Sequence, residues 1–241
     1  MQAAVGSQCA DCVRASRPPA TERLRRWNAG QTAIVTKLII AANVLVFLIG
    51  LKGGNVVNGE GSVQVDLGLN AIPLRDGEWY RLITSGFTHA GILHLGLNMW
   101  FIWVIGQMLE RALGSLRFTL LYFAALLAGS AGALIADPLA LTVGASGAAF
   151  GLLGAMAVGM RQRGMSVLRS DIGMLLILNL VLTFAIPGIA IGGHVGGLIG
   201  GAICGVALLA PRRERRWWEL AVPVLVMVAA VATSYWAAWN L

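Results

Sequence analysis

Charged residues are scarce in this 241-residue chain: they make up 12% of it, while 57% of its residues are hydrophobic. The mean hydropathy of +0.75 is too high for a soluble domain of this size, whose surface needs many more polar side chains. The shortage of charge therefore excludes a soluble globular protein and indicates a chain that crosses a membrane several times.

Acidic residues are missing from the long apolar runs, and Glu110, Asp137 and Asp171 are expected at helix boundaries. A membrane aspartyl protease needs two intramembrane aspartates, and proton-coupled transporters usually use acidic relays, so both classes are disfavoured. The His-Glu-x-x-His pattern of zinc metalloproteases is also absent from the sequence.

Cysteine occurs three times, and a disulfide framework is not expected. Cys204 lies in an apolar run, whereas Cys9 and Cys12 lie in a basic segment that we expect to be cytoplasmic. The Cys9-x-x-Cys12 pair is half of a zinc site, and no second Cys or His pair follows it in the polar region. We therefore expect no functional metal and no cofactor.

Histidine is equally scarce, and two of the three histidines, His94 and His194, lie in apolar runs. Ser146 also lies in an apolar stretch, between Gly144 and Gly147. Ionisable groups at membrane depth are costly and are therefore candidates for function. The alternative is that Ser146 and its glycines serve only the close packing of helices.

The apolar runs predict seven transmembrane helices, because about 20 residues cross the hydrocarbon layer as a helix. The predicted spans are 33–51, 90–109, 118–136, one within 138–160, two within 172–211, and 220–240. Pro187-Gly188 separates the fifth span from the sixth, and residues 52–80 are too long for a plain connector. The expected fold class is all-α, a polytopic membrane helical bundle.

Basic residues predict the orientation of the bundle. With a cytoplasmic N-terminus, Lys52, Arg75 and Arg81 fall outside, and the other 15 of the 18 Lys and Arg residues fall inside. Seven spans then place the C-terminus on the extracellular or periplasmic side of the cell membrane. The high pI reflects this topology, so we expect the lipid bilayer and not nucleic acid as the partner of the basic residues.

Three parallel spans carry polar groups near their outer ends: His94 in the second, Ser146 in the fourth and His194 in the sixth. Glycines of the fourth and sixth spans allow the close helix contact that brings Ser146 within reach of His194. These glycines are Gly147, Gly151 and Gly154 in the fourth span, and Gly193, Gly197, Gly201 and Gly205, with a second file at Gly192, Gly196 and Gly200, in the sixth.

The chemistry that fits these groups is nucleophilic acyl transfer. A serine hydroxyl needs a base within hydrogen-bond reach, and His194 is the natural candidate. The Ser146 amide, His94 and Asn98 are candidate donors to the oxyanion, and Asn98 shares a helix face with His94 four residues earlier. Without a buried carboxylate, a Ser-His dyad is expected instead of a triad.

These residues resemble the motifs of the rhomboid family of intramembrane serine proteases. The Gly-x-Ser-Gly motif appears as Gly144-Ala145-Ser146-Gly147, the second-helix motif as His89, His94 and Asn98, and the base motif as Gly193-His194 followed by Gly197. Trp79-Tyr80-Arg81 resembles the Trp-x-Arg element of the first external loop, and Glu110-Arg111 the charged pair that ends the second helix.

The resemblance implies that Ser146 is the nucleophile and His194 the base, with an oxyanion hole made by His94, Asn98 and the Ser146 amide. It implies a substrate that is a transmembrane segment of another protein, cut near the outer leaflet. The resemblance also implies supporting roles for Gly144, Gly147 and His89. Some members have a tyrosine that packs against the base, and Phe150 takes its place here. The oligomeric state is not indicated.

The resemblance also implies three parts: a basic cytoplasmic tail over 1–32, a six-helix core over 33–210, and a basic loop with a seventh helix over 211–241. The tail resembles the remnant of a zinc-binding module of some bacterial members. One alternative function is a catalytically silent member that binds transmembrane helices, although such members lack the nucleophile or the base. A small-solute transporter is the third candidate function.

Overall fold

The computed structural model of the chain describes residues 32–52, 62–185, 188–210 and 217–240. All regular structure in these ranges is helical, and one isolated backbone bridge joins Leu69 to Thr142. The prediction of an all-α bundle is therefore confirmed. The N-terminal tail with Cys9 and Cys12 lies outside the described residues.

The helices follow the predicted order of spans. In chain order they are α1 (Ile34–Lys52), α2 (Ser62–Leu67), α3 (Ala71–Arg75), α4 (Arg81–Thr84), α5 (Ile92–Leu113), α6 (Ser115–Ala136), α7 (Ser146–Arg161), α8 (Asp171–Ala185), α9 (Ile191–Leu208) and α10 (Ala221–Trp239). The short helices α2 to α4 account for about half of the described residues between α1 and α5. Within α5, Ile102–Gly106 is π-helical.

Five of these helices, α1, α5, α6, α9 and α10, are long and apolar enough to cross a membrane. The helices α7 and α8 have 16 and 15 residues, fewer than the roughly 20 that a span needs. In the case of α7, the preceding loop is held by protein groups: the Gly144 N–H donates to the Ser85 carbonyl at 2.9 Å. Non-helical backbone at membrane depth is tolerated where the protein satisfies it.

Glycines bring the backbones of α7 and α9 into direct contact. A Cβ atom added at Gly197 would lie 2.0 Å from the Gly147 carbonyl oxygen, and one at Gly201 would lie 2.0 Å from that of Gly151. The second glycine file of α9 faces α6 instead, because a Cβ at Gly192 would meet the Gly132 carbonyl oxygen at 2.2 Å. The two files therefore pack α9 against two different helices.

Glu110 joins the start of α1 to the end of α5. The sequence predicts that the second span ends at residue 109, but α5 continues to Leu113, so Glu110 lies inside the helix and is 1% exposed. Its carboxylate accepts the N–H groups of Val35 and Thr36 at 3.0 and 2.8 Å and the hydroxyls of Thr36 and Ser115 at 2.8 Å. These bonds satisfy donors that the first turn of α1 leaves open.

Arg81 organises the segment before α5. Its guanidinium donates to the carbonyls of Val65 and Gly68 and, at 2.6 Å, to the carboxylate of Glu78. The Tyr80 hydroxyl donates to the same carboxylate at 2.6 Å. These two hydrogen bonds, from Tyr80 and then Arg81, lower the pKa of Glu78. A buried cation with several acceptors thus fixes the segment before α5 against the bundle.

Replacing Glu110 by alanine removes the shared acceptor and leaves the Val35 and Thr36 donors unpaired. We expect Glu110→Ala to lower the free energy of unfolding by about 1–3 kcal/mol for the unsatisfied buried donors. Thermal unfolding in detergent measures this loss. The exposed Asp137, whose carboxylate accepts a loop N–H of Ala140, gives the control Asp137→Ala, which should change stability much less. Equal losses in both variants would contradict this role for Glu110.

Replacing Gly197 by alanine places a methyl group against the backbone of α7, which cannot rotate away. We expect Gly197→Ala to separate the helices and lower the free energy of unfolding by roughly 1–3 kcal/mol. The control is Gly96→Ala in α5, where an added Cβ has no atom within 4 Å. That control should be neutral or slightly stabilising, because alanine favours helices more than glycine does. Unchanged stability of Gly197→Ala would contradict direct backbone contact.

Candidate active site

Ser146 is the first residue of α7, and the turn that leads into it depends on Gly144. Gly144 has a φ of +117°, a backbone conformation that residues other than glycine rarely adopt. A Cβ atom there would also lie 2.6 Å from Cε1 of His94. The glycine therefore lets the chain turn into α7 while the His94 ring lies against the backbone two residues before Ser146.

The structure brings Ser146 and His194 together. The distance from Ser146 Oγ to His194 Nε2 is 2.8 Å, within hydrogen-bond range. The ring of Phe150, one helical turn after Ser146, stacks on the His194 ring with centroids 4.2 Å apart and an interplanar angle of 18°. Phe150 thus holds the plane of the imidazole without making a polar contact.

The other ring nitrogen of His194 faces α8. Its Nδ1 lies 2.7 Å from the hydroxyl oxygen of Thr183, and that oxygen also lies 2.7 Å from the carbonyl oxygen of Asn179. Both His194 and Thr183 are buried. Within the described residues, the polar contacts of the imidazole are to two hydroxyl groups, with no carboxylate among them.

The histidine pair His89 and His94 lies on the other side of the loop before Ser146. The two rings meet edge to face with centroids 5.0 Å apart, and His89 Nε2 accepts the Ala145 N–H at 3.4 Å. Burial, and then the neighbouring His94, lower the pKa of His89 to about 3. His89 is therefore a neutral acceptor that supports the loop, next to His94.

Asn98 lies in α5 one turn after His94 and is buried. Its amide nitrogen donates to the His94 carbonyl at 2.8 Å, a bond within its own helix. An amide group carries two hydrogens, so a second donor remains for another acceptor. The sequence-derived expectation that Asn98 and His94 share one face of the helix agrees with this contact.

Ser146 and His194 line a recess of about 30 Å³, somewhat more than the roughly 10–15 Å³ that a cavity needs to hold one water molecule. Gly129 and Ser130 of α6 and Ser85 of the segment before α5 form other parts of its wall. In this conformation the recess has room for a small group only. No cluster of metal-ligating side chains occurs in the described ranges, which do not include Cys9 and Cys12.

Thr183 is the site residue that sequence analysis missed. Residues 172–186 read as an apolar span, and attention to its polar members would have found Asn179 and Thr183, which are four residues apart and so on one helix face. That spacing alone does not identify their neighbour, because the contact with His194 joins separate helices.

Comparison with known proteins agrees with these observations. The Rhomboid domain family matches residues 76–211, more than half of the chain. Rhomboid protease GluP of Bacillus subtilis (strain 168) is 36% identical over 204 residues, which are 83% of this chain and 40% of the relative. The putative rhomboid protease YdcA of the same organism is 38% identical over 122 residues, or 50% of this chain and 59% of the relative.

A plant also contains a similar protein. The mitochondrial RHOMBOID-like protein 6 of Arabidopsis thaliana is 30% identical over 172 residues, which are 58% of this chain and 56% of that protein. The chain spans about 40–60% of the length of these curated relatives. The match over residues 76–211 and the apolar helices around it show that this multi-pass membrane protein belongs to the rhomboid family.

Proposed function

We propose that this chain is an intramembrane serine endopeptidase, which hydrolyses peptide bonds in or near transmembrane segments of other proteins. The observation that carries the proposal is the 2.8 Å contact between Ser146 Oγ and His194 Nε2 inside a helical bundle. A serine is a useful nucleophile only where a base accepts its proton, and this contact supplies one.

In the proposed reaction, His194 Nε2 takes the proton of Ser146 while Oγ attacks the carbonyl carbon of the scissile bond. The tetrahedral intermediate collapses when the imidazolium returns the proton to the leaving amine, and the C–N bond breaks. Water then attacks the acyl-enzyme, again with His194 as base, and the release of the new carboxylate restores the Ser146 hydroxyl. No metal and no cofactor is needed for these steps.

The proposed oxyanion hole lies at the start of α7. The first N–H groups of a helix have no partner within the helix and carry partial positive charge, so the Ser146 amide is a suitable donor. His94, whose ring lies against Gly144, and the free amide hydrogen of Asn98 are the proposed side-chain donors. Donors fixed before the reaction stabilise charge as it develops in the transition state.

The proposed location follows from the distribution of basic residues. A cytoplasmic N-terminus in the cell membrane places the start of α7 towards the outer leaflet. There, transmembrane segments of other membrane proteins are the proposed substrates, and the recess at Ser146 must widen to admit one. The two similar proteins of Bacillus subtilis are named as a rhomboid protease and a putative rhomboid protease, which supports this class of reaction.

Removing either member of the dyad should abolish cleavage. We expect Ser146→Ala and His194→Ala each to reduce the rate by more than about 10³-fold, because acyl transfer then lacks its nucleophile or its base. The measurement is cleavage of a reporter with a transmembrane segment, reconstituted with purified protein in liposomes. The control is Ser234→Ala in α10, a buried serine whose hydroxyl donates to the Ala230 carbonyl.

Activity of Ser146→Ala close to wild type would contradict the nucleophile assignment. If neither wild type nor the variants cut the reporter, labelling with a serine-reactive phosphonate distinguishes the remaining cases. Labelling of wild type but not Ser146→Ala indicates an enzyme with an unsuitable reporter. Binding of the reporter helix without labelling indicates the catalytically silent alternative.

Asn98 should matter less than the dyad but remain measurable. We expect Asn98→Ala to lower kcat by up to about 10²–10³-fold, the effect of losing one oxyanion donor in other acyl-transfer enzymes. The matched control is Asn43→Ala in α1, since Asn43 is also buried and makes the same type of bond, from its amide to the Ile39 carbonyl at 2.8 Å. An Asn98 variant as fast as the Asn43 variant would remove Asn98 from the oxyanion hole.

A further inference from the structure

Thr183 links the peripheral helix α8 to the base. Its side chain is 1% exposed, and its hydroxyl oxygen lies 2.7 Å from both His194 Nδ1 and the Asn179 carbonyl oxygen. Together with the 2.8 Å contact of His194 Nε2 with Ser146 Oγ, this makes a chain of three hydrogen bonds across α8, α9 and α7.

The number of available hydrogen atoms favours one assignment of donors and acceptors in these three hydrogen bonds. The Asn179 carbonyl can only accept, so the single hydrogen of the Thr183 hydroxyl satisfies that bond. The Thr183 oxygen then accepts from His194, which requires the hydrogen of the neutral imidazole to be on Nδ1. Nε2 is left with a lone pair that faces the Ser146 hydroxyl, and all three bonds are made.

The opposite tautomer satisfies fewer bonds. With the hydrogen on Nε2, the imidazole donates to Ser146, and the Thr183 hydroxyl must choose between Nδ1 and the Asn179 carbonyl. One of the three bonds is lost, while the Asn179 carbonyl keeps its backbone bond within α8, so this tautomer is less stable by the net contribution of one hydrogen bond. This tautomer is also the wrong one for catalysis, because Nε2 cannot then take the serine proton.

We propose that Thr183 is a positioning residue that holds His194 in the Nδ1–H tautomer, with Nε2 directed at Ser146. This inference rests on the proposed function and extends it. Thr183 fills the place that a carboxylate takes in a triad, but as a neutral acceptor. Phe150 holds the plane of the ring, and stacking is compatible with either nitrogen facing Ser146. The contact with Thr183 determines which of the two ring nitrogens faces Ser146.

The test compares Thr183→Val, which keeps the shape and loses the hydroxyl, with Thr183→Ser, which keeps it. We expect Thr183→Val to lower kcat roughly tenfold, the effect of losing one neutral hydrogen bond. We expect KM to be unchanged, because Thr183 is buried and does not line the recess at Ser146. Thr183→Ser should restore most of the rate. The control Thr119→Val removes a similar bond, from the Thr119 hydroxyl to the Ser115 carbonyl at 2.8 Å, in α6.

A second readout does not depend on activity. Nitrogen NMR of histidine-labelled protein distinguishes protonated from unprotonated ring nitrogens, and His194→Ala identifies the His194 signals among three histidines. We expect wild type to carry the hydrogen on Nδ1 and Thr183→Val to show a mixture of tautomers. Wild type with the hydrogen on Nε2, or a Thr183→Val spectrum identical to wild type, would overturn the proposal.

The two proposals fail in different ways. If wild type cleaves and Thr183→Val matches it in kcat, the positioning role is overturned and the serine protease stands. If wild type and Ser146→Ala are both inactive and unlabelled by the phosphonate, the protease is overturned, and the NMR comparison still decides whether Thr183 sets the tautomer. A KM increase with unchanged kcat in Thr183→Val would also count against the positioning role.

Discussion

Direct contact between the backbones of α7 and α9 is the constraint on which the site depends. Lipid chains are as apolar as leucine side chains, so helices in a membrane gain little from hiding apolar surface against each other. Close approach through glycine lets dispersion forces act along the whole contact. With Gly197 against Gly147 and Gly201 against Gly151, the start of α7 lies beside the first turns of α9. The distance between Ser146 and His194 follows from that approach.

Buried polar groups hold the segments that the glycine contacts do not reach, which are the start of α1, the segment before α5 and the loop before α7. Glu110 accepts four hydrogen bonds from the starts of α1 and α6, and Arg81 donates to carbonyls of the segment before α5. Each of these charged groups is satisfied within the protein, which is the condition for keeping a charge away from water. The loop that carries Gly144 is held in the same way, by the Ser85 carbonyl and by His89 through Ala145.

The sequence predicts the fold well where the physical signal is local. Long apolar runs and their breaks predict, in order, the seven longest helices of the described ranges, five of which are long and apolar enough to cross a membrane. The period of the glycines predicts the contact between α7 and α9. The second glycine file, at Gly192, Gly196 and Gly200, has no local signal for its partner, because α6 carries few matching glycines. The sequence predicts the end of α5 too early, because an acidic residue such as Glu110 normally marks the end of an apolar span. The four groups that donate hydrogen bonds to Glu110 and allow its burial lie in α1 and α6, so the sequence around Glu110 does not reveal them.

The candidate site is predictable to a similar degree. Ser146, His94 and His194 stand out as rare polar groups in apolar runs, whereas Thr183 has an ordinary hydroxyl whose importance lies entirely in what it contacts. The roles of these residues stay predictions. The resemblance predicts that the Phe150 ring packs against His194, and the two rings stack in the structure.

The helix that carries Thr183 has a small buried face, which consists of Ile172, Gly173 and Thr183. Most of its other large side chains are exposed, so α8 is held to the bundle through few contacts. If Thr183 positions the base, an outward displacement of α8 removes the acceptor from Nδ1 and releases the imidazole to turn over. In the proposed enzyme, His194 would then be held in its reactive tautomer only while α8 is packed against the bundle.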